Sequence, residues 1–162
     1  MSGLPIRVVT FSRHGSTDEV GRWVARSLAG LVDASVYQND STGDPETGLG
    51  AASRVVVGMP VYANHWRPEA RRFLNRCAST LGQREVWLFT CSLGGGLDDL
   101  DHLEPELVPV GLAHFGGKLD WDRLAVPERM LMRALGQTSC DRRSRADVEA
   151  WAASIVRTAA LT

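Results

Sequence analysis

The chain reads as an α/β protein of three layers, a doubly wound parallel sheet of five strands covered by helices on both faces. Three observations point there. Short β-branched runs alternate with segments of helical period along the length of the chain. The run Arg54-Val55-Val56-Val57-Gly58 is apolar without alternation, as a strand buried on both faces must be. Polar or glycine-bearing loops follow the first, third and fourth strands, at the carboxyl ends where such sheets take their ligands. With 162 residues and no internal repeat or dividing linker, residues 1–162 are expected to form one domain.

The elements follow in order. Ile6–Phe11 is the first strand. A helix starts at Ser16, which has capping-box spacing to Glu19; Val20, Trp23, Val24 and Leu28 share one face, and Gly30 ends it. Ala34–Tyr37 is a short second strand. Residues 39–50 are a polar loop in the place of a second helix. After the third strand, Arg54–Gly58, and a loop, Pro68 opens a helix whose Ala70, Phe73, Leu74, Cys77 and Leu81 keep a 3.6 period. Glu85–Thr90 is the fourth strand, and the stretch around Ala113-His114-Phe115 is the fifth. Two helices close the chain. One runs from near Pro127 to Gly136, and the other carries Val148, Trp151, Ala152, Ile155 and Ala159 on one face.

Composition narrows the function classes. The chain is 44% hydrophobic and 23% charged with a formal net charge of -1, which gives no electrostatic basis for nucleic-acid binding. Lys118 is its one lysine. Cys77, Cys91 and Cys140 are odd in number and far apart, without CxxC or Cys/His spacing, so neither a disulfide framework nor a metal site is expected. No apolar run approaches the length of a membrane span, and the start lacks a basic then apolar leader, so a cytoplasmic location is the expectation.

The chemistry is therefore sought in the loops. Ser12-Arg13-His14-Gly15-Ser16-Thr17 places three hydroxyls and a glycine just before a helix, whose N-terminal amides and dipole favour an anion. Arg13 and His14 are read as exposed, solvated side chains, with neutralisation of phosphate charge as the alternative. The alternative reading of the loop is plain helix capping. Met59-Pro60-Val61-Tyr62-Ala63-Asn64-His65-Trp66 carries Tyr62 and Trp66, which suit stacking on a flat ring or, alternatively, sealing the end of the sheet. Thr90-Cys91-Ser92-Leu93-Gly94-Gly95-Gly96 brings bare backbone to a ring edge, or is a flexible connection. Cys91 as a phosphatase-type nucleophile fails, since the arginine position of Cys-x5-Arg is Leu97. His102 and His114 read as structural, and Asp98, Asp99 and Asp101 as a solvated acidic run.

Taken together, these segments resemble the flavodoxin-like family, and within it the flavodoxin domains grouped with menaquinone-dependent protoporphyrinogen oxidase. Phe11–Thr17 is similar to that family's phosphate loop, and Val57–Ala63 to its third strand and ring-contacting loop. Phe115-Gly116-Gly117-Lys118-Leu119-Asp120 is similar to its Phe-x-Gly-Lys/Arg-Leu stretch. Asn64 stands where relatives often have glycine. The resemblance implies strand order 2-1-3-4-5, with FMN at the switch between strands one and three and its ring between the second and third loops. It implies a redox protein whose flavin carries electrons or oxidises or reduces a small substrate or quinone, with no acid or base residue required. The implied partners are a redox protein or a quinone-like acceptor, and aromatics near the ring loops offer a surface for a homodimer. A flavodoxin-fold interaction module without flavin, and a deazaflavin in place of FMN, remain open alternatives.

Overall fold

The computed structural model describes residues 3–47, 49–62, 65–94 and 103–161. Five parallel strands build the central sheet: β1 (Gly3–Thr10), β2 (Ala34–Asn39), β3 (Arg54–Tyr62), β5 (Glu85–Ser92) and β6 (Gly111–Gly116), with a two-residue β4 (His65–Trp66) folded back on β3. Their spatial order is β2-β1-β3-β5-β6, the expected 2-1-3-4-5 once β4 is set aside.

Helices cover the two faces, and the side-chain alternation of the strands divides the core accordingly. Ile6, Val8, Val56, Trp87 and Phe89 pack against Val20, Val24 and Leu28 of α1 (Ser16–Leu31) and against Val148, Ala152 and Ile155 of α5 (Arg145–Leu161). Val9, Val55, Val57, Met59 and Leu88 point to the other face, against Phe73 and Leu74 of α2 (Pro68–Arg76) and Leu81 of α3 (Ala78–Leu81). That is why the third strand lacks alternation: both of its faces are inside. Each of these fully buried apolar side chains stabilises the fold by about 1.5–3 kcal/mol relative to exposure.

Three expectations are corrected. The single helix over residues 68–81 divides at Cys77, whose φ/ψ of −96°/10° takes it out of helical geometry. The first helix runs past Gly30 to Leu31. Met59–Tyr62, Cys91 and Ser92, expected as loop, are strand: Met59 and Pro60 pair with Thr90 and Cys91, and Val61 and Tyr62 turn into an antiparallel pair with Trp66 and His65.

The return from β6 is elaborated. Between β7 (Lys118–Leu119) and β8 (Cys140–Asp141), which pair antiparallel, the chain inserts a 3₁₀ turn at Trp121–Arg123 and α4 (Val126–Ala134). The insert is clamped at its foot by Arg143, whose side chain is 8% exposed, pairs with Asp141 (2.8 Å) and Glu19, and lies over the Trp23 ring (5.0 Å). The guanidinium lowers the Asp141 carboxyl to about 2. No helix among the described residues is long and apolar enough to cross a membrane.

Candidate functional site

The carboxyl ends of β1, β3 and β5, together with the insert, enclose a cleft of about 460 Å³. Its floor begins at the turn between β1 and α1. Ser12 Oγ accepts the Gly15 N–H at 2.9 Å, closing the loop on itself. Gly15 then enters the left-handed region at φ 86°, which glycine adopts without the penalty of a side chain. A Cβ there would also meet the Arg123 guanidinium at 3.0 Å. The first helical bond of α1 is Glu19 N–H to Gly15 O at 3.0 Å, so the N–H groups of Ser16, Thr17 and Asp18 have no partner within the helix. Ser16 Oγ is buried and unpaired. An unpaired buried hydroxyl is costly, about 1–3 kcal/mol, unless a ligand satisfies it.

Beneath the loop, Asp18 ties three segments together. Its carboxylate accepts the Thr10 hydroxyl at 2.7 Å, the Ser41 N–H at 3.2 Å and the Ser41 hydroxyl, and its carbonyl accepts Gln38 Nε2 at 3.2 Å. The end of β1, the first turn of α1 and the loop after β2 are thereby held as one unit.

On the opposite wall, Pro60, Val61 and Tyr62 come from β3, and Cys91, Ser92, Leu93 and Gly94 from the end of β5. Tyr62 is 48% exposed at the mouth, an aromatic free to lie on a flat ligand. Ser92 Oγ donates to Gly94 O at 2.7 Å, and Ser92 O accepts the Gly117 N–H at 2.8 Å, fixing this edge of the cleft. Cys91 lies against the Thr17 hydroxyl, and burial pushes its thiol up to about 12. Burial thus disfavours the thiolate that nucleophilic chemistry requires.

The sequence-predicted residues Ser12, Arg13, His14, Ser16, Thr17, Pro60, Val61, Tyr62, Cys91, Ser92, Leu93 and Gly94 all line this cleft. Gly15 shapes it from behind. Thr90 lies in the strand below, 6% exposed, its hydroxyl 2.8 Å from His114 Nδ1; His114 thus has Thr90 and Ser92 as partners. Trp66, expected on the ring, is 2% exposed and packs in the core with Phe73 and Met59, because pairing with Val61 turns it inward. Ala63, Asn64 and Gly95 lie outside the described residues, as do Gly96, the acidic run of Asp98, Asp99 and Asp101, and His102.

Sequence reasoning missed the third wall. Gly117, Lys118 and Leu119 of the return from β6, and Leu124, Glu128, Leu131, Met132, Leu135 and Gln137 of the insert, complete the lining of the cleft. No residue of α4 is buried, and Leu131 and Leu135 are 56% and 61% exposed although they face the cleft. The available signal was a helix apolar on more than one side: Val126 and Met130 look outward, while Leu131, Met132 and Leu135 look in.

The sequence matches the flavodoxin domain family over residues 7–144. The chain belongs to that family. Among solved structures, this flavodoxin domain superposes on a short-chain flavodoxin associated with a bacterial microcompartment with a TM-score of 0.59, 16% identity, and 97% of this chain and 99% of that one covered. With Megasphaera elsdenii flavodoxin the TM-score is 0.55 at 18% identity, over 67% of this chain and 84% of the other. With the flavodiiron core from Synechocystis it is 0.58 at 12% identity, over 71% of this chain and only 31% of that one, so the flavodoxin domain here spans about a third of that protein. At these identities the likeness is one of fold. No curated protein matches the chain in sequence.

Proposed function

We propose that this flavodoxin domain binds FMN in the cleft and passes electrons through it between a donor and a small apolar acceptor of the quinone kind. The observation that carries the reading is the phosphate end of the cleft, where the unpaired Ser16 hydroxyl stands beside three helix N-terminal amides without helical partners. Ser16 and Thr17 with those amides hold the phosphate, while Ser12 and Gly15 keep the loop in shape. Tyr62 and the backbone of Ser92–Gly94 take the ring from two sides. When bound, FMN supplies hydride and single-electron transfer, and the protein supplies orientation and exclusion of water. The apolar wall of Leu131, Met132 and Leu135 favours an uncharged, flat acceptor beside the flavin. The Phe115–Asp120 stretch supports placing the domain near the protoporphyrinogen oxidase branch of the family.

Ser16→Ala tests this reading by a difference in sign. The free protein loses a buried unpaired hydroxyl, so it is expected to melt at or above the wild-type temperature. FMN affinity, read from flavin fluorescence, is expected to fall by about 10- to 100-fold as a bond to a charged group is lost. Equal FMN affinity in variant and wild type would remove the phosphate from this loop. Extraction and spectroscopy of any co-purifying cofactor separate FMN from a deazaflavin.

A further inference from the structure

The insert does more than close the cleft, because its one cleft-lining carboxylate among the described residues is paired with Arg13 of the phosphate loop and stands beside His14. Arg13 pairs with Glu128, and His14 Nε2 stands 3.6 Å from the same Oε1. The other oxygen of Glu128 accepts the Ala125 N–H at 2.8 Å, so the carboxylate is fixed at the start of α4 and is not a loose surface group. A second strut, Arg123 Nη1 donating to His14 O at 2.8 Å, holds the insert against the loop. The Ala125 N–H, with Arg13 and His14, holds the Glu128 carboxyl below the usual carboxylate range, so it is charged at neutral pH.

An anion entering at Ser16 and Thr17 therefore meets a loop whose Arg13 guanidinium already has an anionic partner, with the His14 ring beside the same carboxylate. We propose that Glu128 is a charge-selective brake on the cleft, with its carboxylate and the phosphate of a phosphorylated flavin competing for Arg13 and His14. The inference rests on the FMN reading above and adds a specificity residue to it. Glu128 weakens the binding of the phosphorylated flavin and leaves the dephosphorylated one untouched, so it lowers the preference between them. Because Arg13 is 58% exposed, the effect is modest and screened by salt.

The test is Glu128→Gln, titrated with FMN and with riboflavin by flavin fluorescence at low and at high salt. Glutamine still accepts the Ala125 N–H, so the cap of α4 is kept while the charge is removed. The variant is expected to bind FMN roughly three- to fivefold more tightly at low salt, the size of a surface ion pair, with the gain shrinking at high salt. Riboflavin binding is expected to stay as in wild type, and Arg13→Gln to weaken FMN alone. Unchanged or weaker FMN binding by Glu128→Gln overturns the inference, as does an equal change for both flavins, which would mark a purely structural role. A wild-type protein that binds neither flavin overturns the FMN reading itself, whereas a wild type that binds FMN beside an indifferent Glu128→Gln overturns this inference only.

Discussion

Gly58→Ala is expected to destabilise the protein by about 3 kcal/mol, a drop of roughly 6–12 °C in melting temperature for a chain of this size. Gly58 sits at the centre of β3, directly beside Phe89 of β5 in the sheet register. The Phe89 ring leans across it, and a Cβ at Gly58 would lie 2.0 Å from Phe89 Cζ. Phe89 has no room to yield. It is 0% exposed and meets Phe115 at 5.7 Å and Trp151 at 5.8 Å, which in turn meet each other at 5.6 Å. Making space for one methyl group therefore moves three aromatic rings between the sheet and α5. Thermal melts of Gly58→Ala, Phe89→Leu and the double variant form a cycle that checks this. The double variant is expected to recover part of the loss, because the smaller side chain vacates the space the methyl needs. Additive losses would place the strain elsewhere.

Asp18→Ala is expected to cost a similar amount, about 3 kcal/mol, through polar rather than steric means. The carboxylate is 6% exposed and is the shared acceptor of the Thr10 hydroxyl and of both the N–H and the hydroxyl of Ser41. Removing it strands three donors, at least one of them in the interior. Asp18→Asn retains an acceptor and is expected to lose less than half as much. Because Asp18 stands in the first turn of α1, the alanine variant should also loosen the phosphate loop. Amide hydrogen exchange of Ser12–Thr17 is expected to quicken there, while exchange in α5 stays as in wild type. A melting temperature equal to wild type would show that the loop after β2 does not depend on this carboxylate.

The sheet was legible because its signals are local and repeated. β-branched runs such as Val55-Val56-Val57 state a strand buried on both faces, and Val20, Val24 and Leu28 state a helix laid on it. The phosphate loop was legible for the same reason: three hydroxyls and a glycine at a strand-to-helix junction are chemistry written in consecutive residues. The rest depends on contacts distant in sequence. Pro60 and the Tyr-Ala-Asn stretch carry loop-forming residues, yet pairing of Pro60 with Cys91 and of Val61 with Trp66 extends β3 as strand and turns Trp66 into the core. The third wall was hidden because an apolar helix ordinarily means core. In α4 the leucines face an open cleft instead, and the one local sign, apolar residues on more than one side of the helix, does not say which side meets a ligand. The pairing of Glu128 with Arg13 and His14 spans more than a hundred residues and leaves no trace in sequence spacing.

Backbone amide resonances followed during titration with FMN and, separately, with riboflavin report whether the turn between β1 and α1 takes the phosphate of FMN. The expected result is a large downfield shift of the Ser16, Thr17 and Asp18 amides with FMN and not with riboflavin, as N–H groups without helical partners find phosphate oxygens. If FMN leaves those three amides where they were, or moves them no more than riboflavin does, the phosphate is not held there and the account of this cleft is wrong.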